Sequence, residues 1–301
     1  MNQNGTASMK IGLVGLGRMG SAMHGRLTEQ GCEVTAWDRD AGAMKAAAGR
    51  GARLAATPRE VAAAGDVVIS IITEDSGVRQ VFRGADGFLS GDVTGKLFVE
   101  MSTLQPMTGR ELAPVVEAAG ARLIDSPLLG SIPTVREGKL FALVGGKAEN
   151  LERARPVLGK LTRKIAHMGG NGAGYAMKLA VNLGFAAFIQ ATGESLALGQ
   201  REGLGLQQML DVLGEALTAN SWLQRKKGLL LGEPDDITLD IRTLRKDIMS
   251  AMATGALNGT GLPLTAGVLA SLSAAVAQGW GDKDVGELAR FFREEMGQRF
   301  E

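Results

Sequence analysis

The chain has 301 residues, 33 basic and 32 acidic, with two histidines and a single cysteine. At about 150 residues per domain its length suggests two domains, and a net charge of +1 leaves no global electrostatic footprint for nucleic acid or an anionic membrane. Lone Cys32, with only His24 and His167 beside it, excludes a disulfide framework and all but excludes a His/Cys zinc site. Glycine is in excess: 43 residues, about 14% against a usual ~7%, so the backbone can approach something closely in many places.

Residues 1–8 have neither the basic nor the apolar segment of a signal peptide and read as a short flexible lead. Lys10 to Val14 predicts a strand, Arg18 to Gln30 a helix, and Glu33 to Trp37 a second strand. Further apolar runs at Val67 to Ile72, Leu97 to Glu100, Ala121 to Ile124 and Leu140 to Val144 alternate with helical stretches. Those stretches include Ala41 to Ala48, Pro106 to Ala119 and Ala148 to Leu161. The alternation predicts an α/β domain over 9–168, a Rossmann-type doubly wound parallel sheet covered on both faces. Beyond it the periodicity is helical, with helices predicted over 174–200, 206–216, 220–231, 238–256, 263–279 and 284–298. An all-α C-terminal domain over 169–301 follows from that pattern. The uncharged stretches 179–193 and 248–281 are too short, or too broken by Asn258 to Pro263, to span a bilayer of about 20 helical residues. A cytoplasmic protein with no membrane and no nucleic-acid partner is expected.

Gly15-Leu16-Gly17-Arg18-Met19-Gly20 is a G-x-G-x-x-G between the first strand and the first helix. In that context the first glycine permits a tight turn, the second lets the backbone approach a pyrophosphate, and the third allows close helix–strand packing. Free N–H groups and the positive dipole end of the helix face the phosphates. The second strand ends at Asp38, placed to accept hydrogen bonds from an adenosine ribose and to repel a 2′-phosphate. Asp40 adds negative charge, whereas Arg39 offers a guanidinium to a phosphate. The balance favours NAD and leaves NADP open.

Four further segments coincide with this loop: Met101-Ser-Thr-Leu-Gln-Pro106, Asp125-Ser-Pro-Leu-Leu-Gly-Ser131, Gly172-Ala-Gly-Tyr-Ala-Met-Lys178-Leu-Ala-Val-Asn182, and Lys246-Asp247 with Leu262-Pro-Leu-Thr265. Together they resemble the β-hydroxyacid dehydrogenase family over nearly the whole chain. The resemblance implies an NAD(P)-dependent oxidoreductase that moves a hydride between nicotinamide and a small β-hydroxyacid or semialdehyde. It makes Lys178 the general acid/base and Asn182, one helical turn on, its orienting partner. Flanking apolar residues suggest a buried lysine, whose pKa would fall. Ser102, Gly130, Ser131 and Asp247 are implied at the substrate, and Leu129 stands where the family places a serine, which makes the pocket more apolar. Thr73, Thr103 and Lys246 are implied at the cofactor, together with Gly15 to Gly20, Asp38 and Arg39. No metal is implied. The expected partners are a small carboxylate-bearing substrate and a second copy of the chain, as homodimer or homotetramer, joined through apolar faces such as Phe185 to Phe188 and Leu264 to Val276. Helix-interior glycines such as Gly184, Gly193 and Gly199 are read with that interface. Two alternatives stand beside this reading: an imine reductase of the same fold, which commonly lacks the lysine, and a dinucleotide-binding protein without turnover.

Overall fold

The computed structural model describes residues 9–296; the predicted lead over 1–8 and the end of the last predicted helix lie outside them. The chain divides into two compact units, Met1–Leu179 and Ala180–Glu301.

In the first unit nine strands form one sheet. They are β1 (Lys10–Val14), β2 (Glu33–Trp37), β3 (Arg53–Leu54), β4 (Val67–Ser70), β5 (Leu97–Glu100), β6 (Arg122–Asp125), β7 (Leu128–Leu129), β8 (Leu140–Gly145) and β9 (Thr162–Gly169). Seven helices connect them: α1 (Arg18–Glu29), α2 (Ala41–Gly49), α3 (Pro58–Ala64), α4 (Asp75–Arg83), α5 (Pro106–Ala118), α6 (Ile132–Arg136) and α7 (Ala148–Leu161). The strand order is β3-β2-β1-β4-β5-β6-β8-β7, with β9 beside β8.

Pairing is parallel from β3 through β6 and again between β8 and β9, but β8 runs antiparallel to β6 and β7. The sheet is mostly parallel, as expected, with an antiparallel pairing at one end. Past Ser126 and Pro127, β7 continues the line of β6 along β8 in the same antiparallel register (Asp125 opposite Gly145, Leu128 opposite Ala142). Strand β9 carries Arg163, Lys164 and His167, all exposed, and has no apolar run.

Alternation along the strands covers both faces, because successive side chains point to opposite sides. Ile11, Leu13, Ile69, Leu97, Val99 and Ile124 pack with Met23 and Leu27 of α1 and Val157 and Leu161 of α7. Val14, Val68, Phe98 and Leu123 face the other way, onto Val61 of α3, Phe82 of α4 and Leu112 of α5. Register then makes the carboxyl ends level: Trp37 lies beside Val14, Val14 beside Ser70, Ser70 beside Glu100, and Glu100 beside Asp125.

The second unit is helical. It holds most of α8 (Ala173–Arg201), which begins in the first unit, and then α9 (Leu206–Glu215), α10 (Ser221–Leu231), α11 (Ile241–Asn258), α12 (Pro263–Ala277) and α13 (Glu287–Phe291). The last predicted helix is short, and a π turn over Phe292–Met296 follows it. The core joins Ile189, Trp222, Leu244, Ile248, Leu272 and Phe291. Among the described residues no helix is long and apolar enough to cross a membrane.

Two readings about exposed apolar faces change. Phe185 and Phe188 sit edge-on to Trp222, ring centroids 5.7 and 5.8 Å away, so they are partly used inside the unit. Gly193 is explained within the chain as well, since a Cβ there would lie 2.7 Å from the Phe292 ring and 3.1 Å from Ala289 Cα. Buried Lys226 is held between Asp284 and Asp235, at 3.1 and 2.8 Å. Removing either partner of the buried Lys226–Asp284 pair costs about 3–5 kcal/mol, whereas Asp235 is exposed.

Candidate active site

The strand order reverses between β1 and β4, and loops leaving that point in opposite directions open a crevice beyond the carboxyl ends. A cleft of about 540 Å³ lies there, lined by Gly15, Gly17, Trp37, Asp38, Arg39, Asp40, Ile71, Ile72, Thr73 and Gln80, among others. The three loop glycines are present for different reasons. Gly15 has φ +101°, and a Cβ on it would lie 2.1 Å from Ile71 O. At Gly20 a Cβ would lie 1.8 Å from Gly15 O. Gly17 has an extended backbone (φ −61°, ψ −169°), and a Cβ there meets no protein atom within 4 Å. Packing does not call for glycine at that point, and the open space beside it belongs to the cleft. The loop thus fits a dinucleotide pyrophosphate.

Asp38 ties this loop down. Its Oδ2 accepts the N–H of Leu16 at 2.5 Å, and its Oδ1 accepts the N–H of Asp40 at 2.8 Å. Asp40 in turn accepts the N–H of Ala43 at 2.7 Å and caps α2, so its carboxylate has a structural task as well as a place in the cleft. Arg39 is exposed, as is Arg18 at the start of α1, while Leu16 is buried and Met19 half-buried. Trp37 and Gln80, which the sequence analysis did not single out, enter the cleft from the end of β2 and from α4.

A second set of residues occupies the same edge of the sheet farther along. Buried Asp125 accepts the N–H of Gly172 at 2.7 Å and that of Tyr175 at 3.2 Å. It therefore caps the start of α8, the helix that carries Lys178. The glycines at 145 and 174 make room for this carboxylate: a Cβ would lie 2.5 Å from it at Gly145 and 2.7 Å at Gly174. At Gly174, then, the carboxylate brought to the backbone is the protein's own. Burial raises the Asp125 pKa against the N–H groups that lower it.

Next to Asp125 in register, Glu100 is fully buried. Its carboxylate accepts the N–H and the hydroxyl of Ser102 and the phenol of Tyr175. Burial pushes its pKa up to about 7, Asp125 adds to the rise, and the Ser102 and Tyr175 donors oppose it. Ser102 Oγ also accepts the Ile72 N–H at 2.7 Å. With Glu100 ionised, the Ser102 hydroxyl proton is thus committed inside the protein, contrary to its expected use as a substrate donor. Ser131 is similar: its N–H donates to Thr134 Oγ1 at 2.6 Å, because that residue begins α6. Thr103, Leu129 and Ser131 are half-buried, and Thr73 and Gly130 are exposed.

Lys178 is half-buried, and its neighbours Ala176, Met177 and Ala180 are exposed. The apolar residues beside it in sequence do not enclose it, because helical neighbours diverge by about 100°. In the second unit Asn182 donates to Asp247 Oδ2 at 2.6 Å. The Lys246 ammonium lies 2.7 Å from Asp247 Oδ1, a charge contact without the alignment of a hydrogen bond. Neither histidine joins a site: His24 is buried, with its pKa lowered by burial and by Arg50, and His167 Nε2 lies 2.7 Å from Gly146 O. Among the described residues no three His, Cys, Asp or Glu side chains group to hold a metal ion.

Comparison with known proteins follows the same division. Residues 10–170 match the NAD binding domain of 6-phosphogluconate dehydrogenase, and residues 172–292 match the NAD-binding family of NADP-dependent 3-hydroxyisobutyrate dehydrogenase. The chain belongs to the β-hydroxyacid dehydrogenase family. That makes it an NAD(P)-dependent oxidoreductase. A 3-hydroxyisobutyrate dehydrogenase of Pseudomonas aeruginosa is 33% identical over 70% of each chain. A 2-(hydroxymethyl)glutarate dehydrogenase of Eubacterium barkeri is 28% identical over 96% of this chain and 97% of its own. Among solved structures, the 3-hydroxyisobutyrate dehydrogenase of Mycobacterium tuberculosis with L-serine has a TM-score of 0.85 at 28% identity, covering 95% of this chain and all of that one.

Two outcomes test this geometry. Gly17→Ala should fold with an unchanged melting temperature yet bind NADH and NADPH about tenfold or more weakly by fluorescence titration, whereas Gly15→Ala should lose stability through its backbone clash. Glu100 binds its proton more tightly folded (about 7) than at its ordinary value of 4.5, so its ionisation lowers stability as pH rises through that window. Relative to Glu100→Gln, the wild type should lose on the order of 3 kcal/mol between pH 4.5 and 7.5 in urea melts.

Proposed function

We propose that the protein is a dehydrogenase or semialdehyde reductase for small β-hydroxyacids, with Lys178 moving the proton at the reacting oxygen. The observation that carries this reading is the placement of Lys178 in the second turn of a helix pinned by Asp125 to the carboxyl edge of the sheet, the edge where α/β proteins bind their ligands. Bound NAD(P) would supply the hydride acceptor for oxidation and the donor for reduction. As an ammonium, Lys178 gives its proton to a carbonyl oxygen; as an amine, it takes one from a hydroxyl. Asn182 follows four residues later on the same side of the helix, its amide oriented by Asp247, and would hold the same oxygen.

The substrate carboxylate would be held at Gly130 and Ser131, the latter through its hydroxyl, since its N–H is already donated. Leu129 supports a substrate less polar than one that needs a serine there. Gly15 to Gly20, Thr73 and Lys246 would serve the cofactor, and Thr103 would stand near the nicotinamide. Asp38 and Asp40 on the cleft wall favour NAD over NADP, against Arg39. The buried thiol of Cys32 and a nicotinamide cofactor suit a reducing, cytoplasmic setting.

We also propose a homodimer or homotetramer, supported by exposed Leu198, Leu204, Val212 and Leu217 in the helical unit. A second copy is the occupant expected on such a surface in this family. Light scattering at micromolar concentration should give at least a dimer, and a monomer would contradict it.

The decisive assay follows NADH and NADPH oxidation with methylmalonate, tartronate and succinic semialdehydes. Lys178→Ala should reduce kcat by roughly a hundredfold or more while dinucleotide binding is unchanged. Near-normal turnover in that variant would end the assignment of Lys178. Activity confined to cyclic imines would replace it with the imine reductase reading.

A further inference from the structure

The Glu100 carboxylate lies outside the dinucleotide cleft and has no part in the chemistry assigned above, yet it is fully buried and receives several hydrogen bonds. Its Oε2 accepts the Ser102 N–H at 3.0 Å and the Tyr175 O–H at 2.5 Å. Its Oε1 accepts the Ser102 hydroxyl, and Ser70 Oγ lies 3.4 Å away. Three segments meet at this one side chain: the turn after β4 through Ile72 and Ser102, the turn after β5, and the first turn of α8.

Tyr175 is the member from α8. Its ring is buried in the core beneath β4, β5 and α5, and its hydroxyl reaches Glu100. It precedes Lys178 by three residues, so the two side chains neighbour each other along the helix surface. Asp125 holds the backbone of the same turn, and the Tyr175–Glu100 contact adds a side-chain tie from that turn to the turn after β5. A buried carboxylate is a costly filler, and a neutral apolar residue would occupy the space at less cost. What an apolar residue cannot supply is a set of directional acceptors facing two segments at once.

We infer that Glu100 is a positioning residue, whose carboxylate fixes the Ser102–Thr103 turn relative to the first turn of α8, which leads directly into Lys178. This inference rests on the assignment of Lys178 as the proton-moving group. Misplacing a reacting group by about 1 Å costs about a hundredfold in rate, so a link of this kind acts on turnover before it acts on binding.

The test severs the link at its far end and reads both ends. Tyr175→Phe keeps the buried ring and loses only the hydroxyl that reaches Glu100. Hydrogen exchange followed by mass spectrometry should show amides of 172–178 and also of 100–105 exchanging about tenfold faster, with β1 and α7 unchanged. With methylmalonate and succinic semialdehydes as probes, kcat should fall about tenfold or more while KM and the NADH dissociation constant stay within about twofold. Glu100→Gln, which keeps an acceptor for Tyr175 and a polar partner for Ser102, should restrict the loss to about threefold. Acceleration confined to 172–178, or unchanged kcat in Tyr175→Phe, would overturn the inference. Lys178→Ala measured alongside separates the two ideas: if it turns over normally, the role of Lys178 fails, and the exchange pattern still decides whether Glu100 couples the segments.

Discussion

A single buried carboxylate decides how the start of α8 meets the sheet. Asp125 ends β6 with its side chain out of water, a placement stable only if the charge is met by donors. The donors are N–H groups at the start of α8, which otherwise have no partner within their own helix. Each group thus satisfies the other, and the favourable alignment of a negative charge with a helix N-terminus adds to the bond. The small residues at 145 and 174 follow from this contact, because a Cβ at either would intrude on the carboxylate. The position of Lys178, less than two turns along, depends on it as well.

The dinucleotide cleft is built by the same kind of exchange. A carboxylate at the end of β2 would be costly left unpaired beside a crevice, and Asp38 resolves this by accepting the Leu16 N–H of the glycine loop. The acid therefore shapes the loop through its own hydrogen bonds and keeps further lone pairs facing the cleft. The loop itself separates two demands. Gly15 and Gly20 answer the protein's own packing, whereas Gly17 faces the open space of the cleft.

In the helical unit, polar groups act as fixed points inside an apolar core. Lys226 joins α10 to the segment at 235–236 and to Asp284, while Asp247 holds the Asn182 amide and faces the Lys246 ammonium. Ionic contacts of this sort give little net stability but penalise alternative packings, since any other arrangement would leave a charge unpaired. Asn182 accordingly has one orientation imposed on it from α11.

Much of this was readable along the chain, for physical reasons that differ between elements. Strands β1, β2 and β5 coincide with their apolar runs because buried parallel strands need apolar side chains on both faces. Strand β9 has no such run and is largely exposed on the sheet's periphery, so nothing in its composition announced it. The glycine loop and Asp38 were legible because local backbone geometry and spacing define them. Lys178, Asn182, Lys246 and Asp247 stand out in the sequence through a family resemblance. Glu100 and Tyr175 were not read at all. The one signal was an acid closing the run Leu97-Phe-Val-Glu100, and 75 residues separate it from its phenol partner. By itself, then, the sequence determined the apolar buried strands and the long helices, the turn chemistry of the loop and the alternation that puts helices on both faces. Tertiary structure decided which polar groups are spent inside the protein, among them the Ser102 hydroxyl, the Ser131 N–H and the Asp40 carboxylate. A hydrogen-bond donor has the same chemistry wherever it lies, and only the fold brings the partner that uses it.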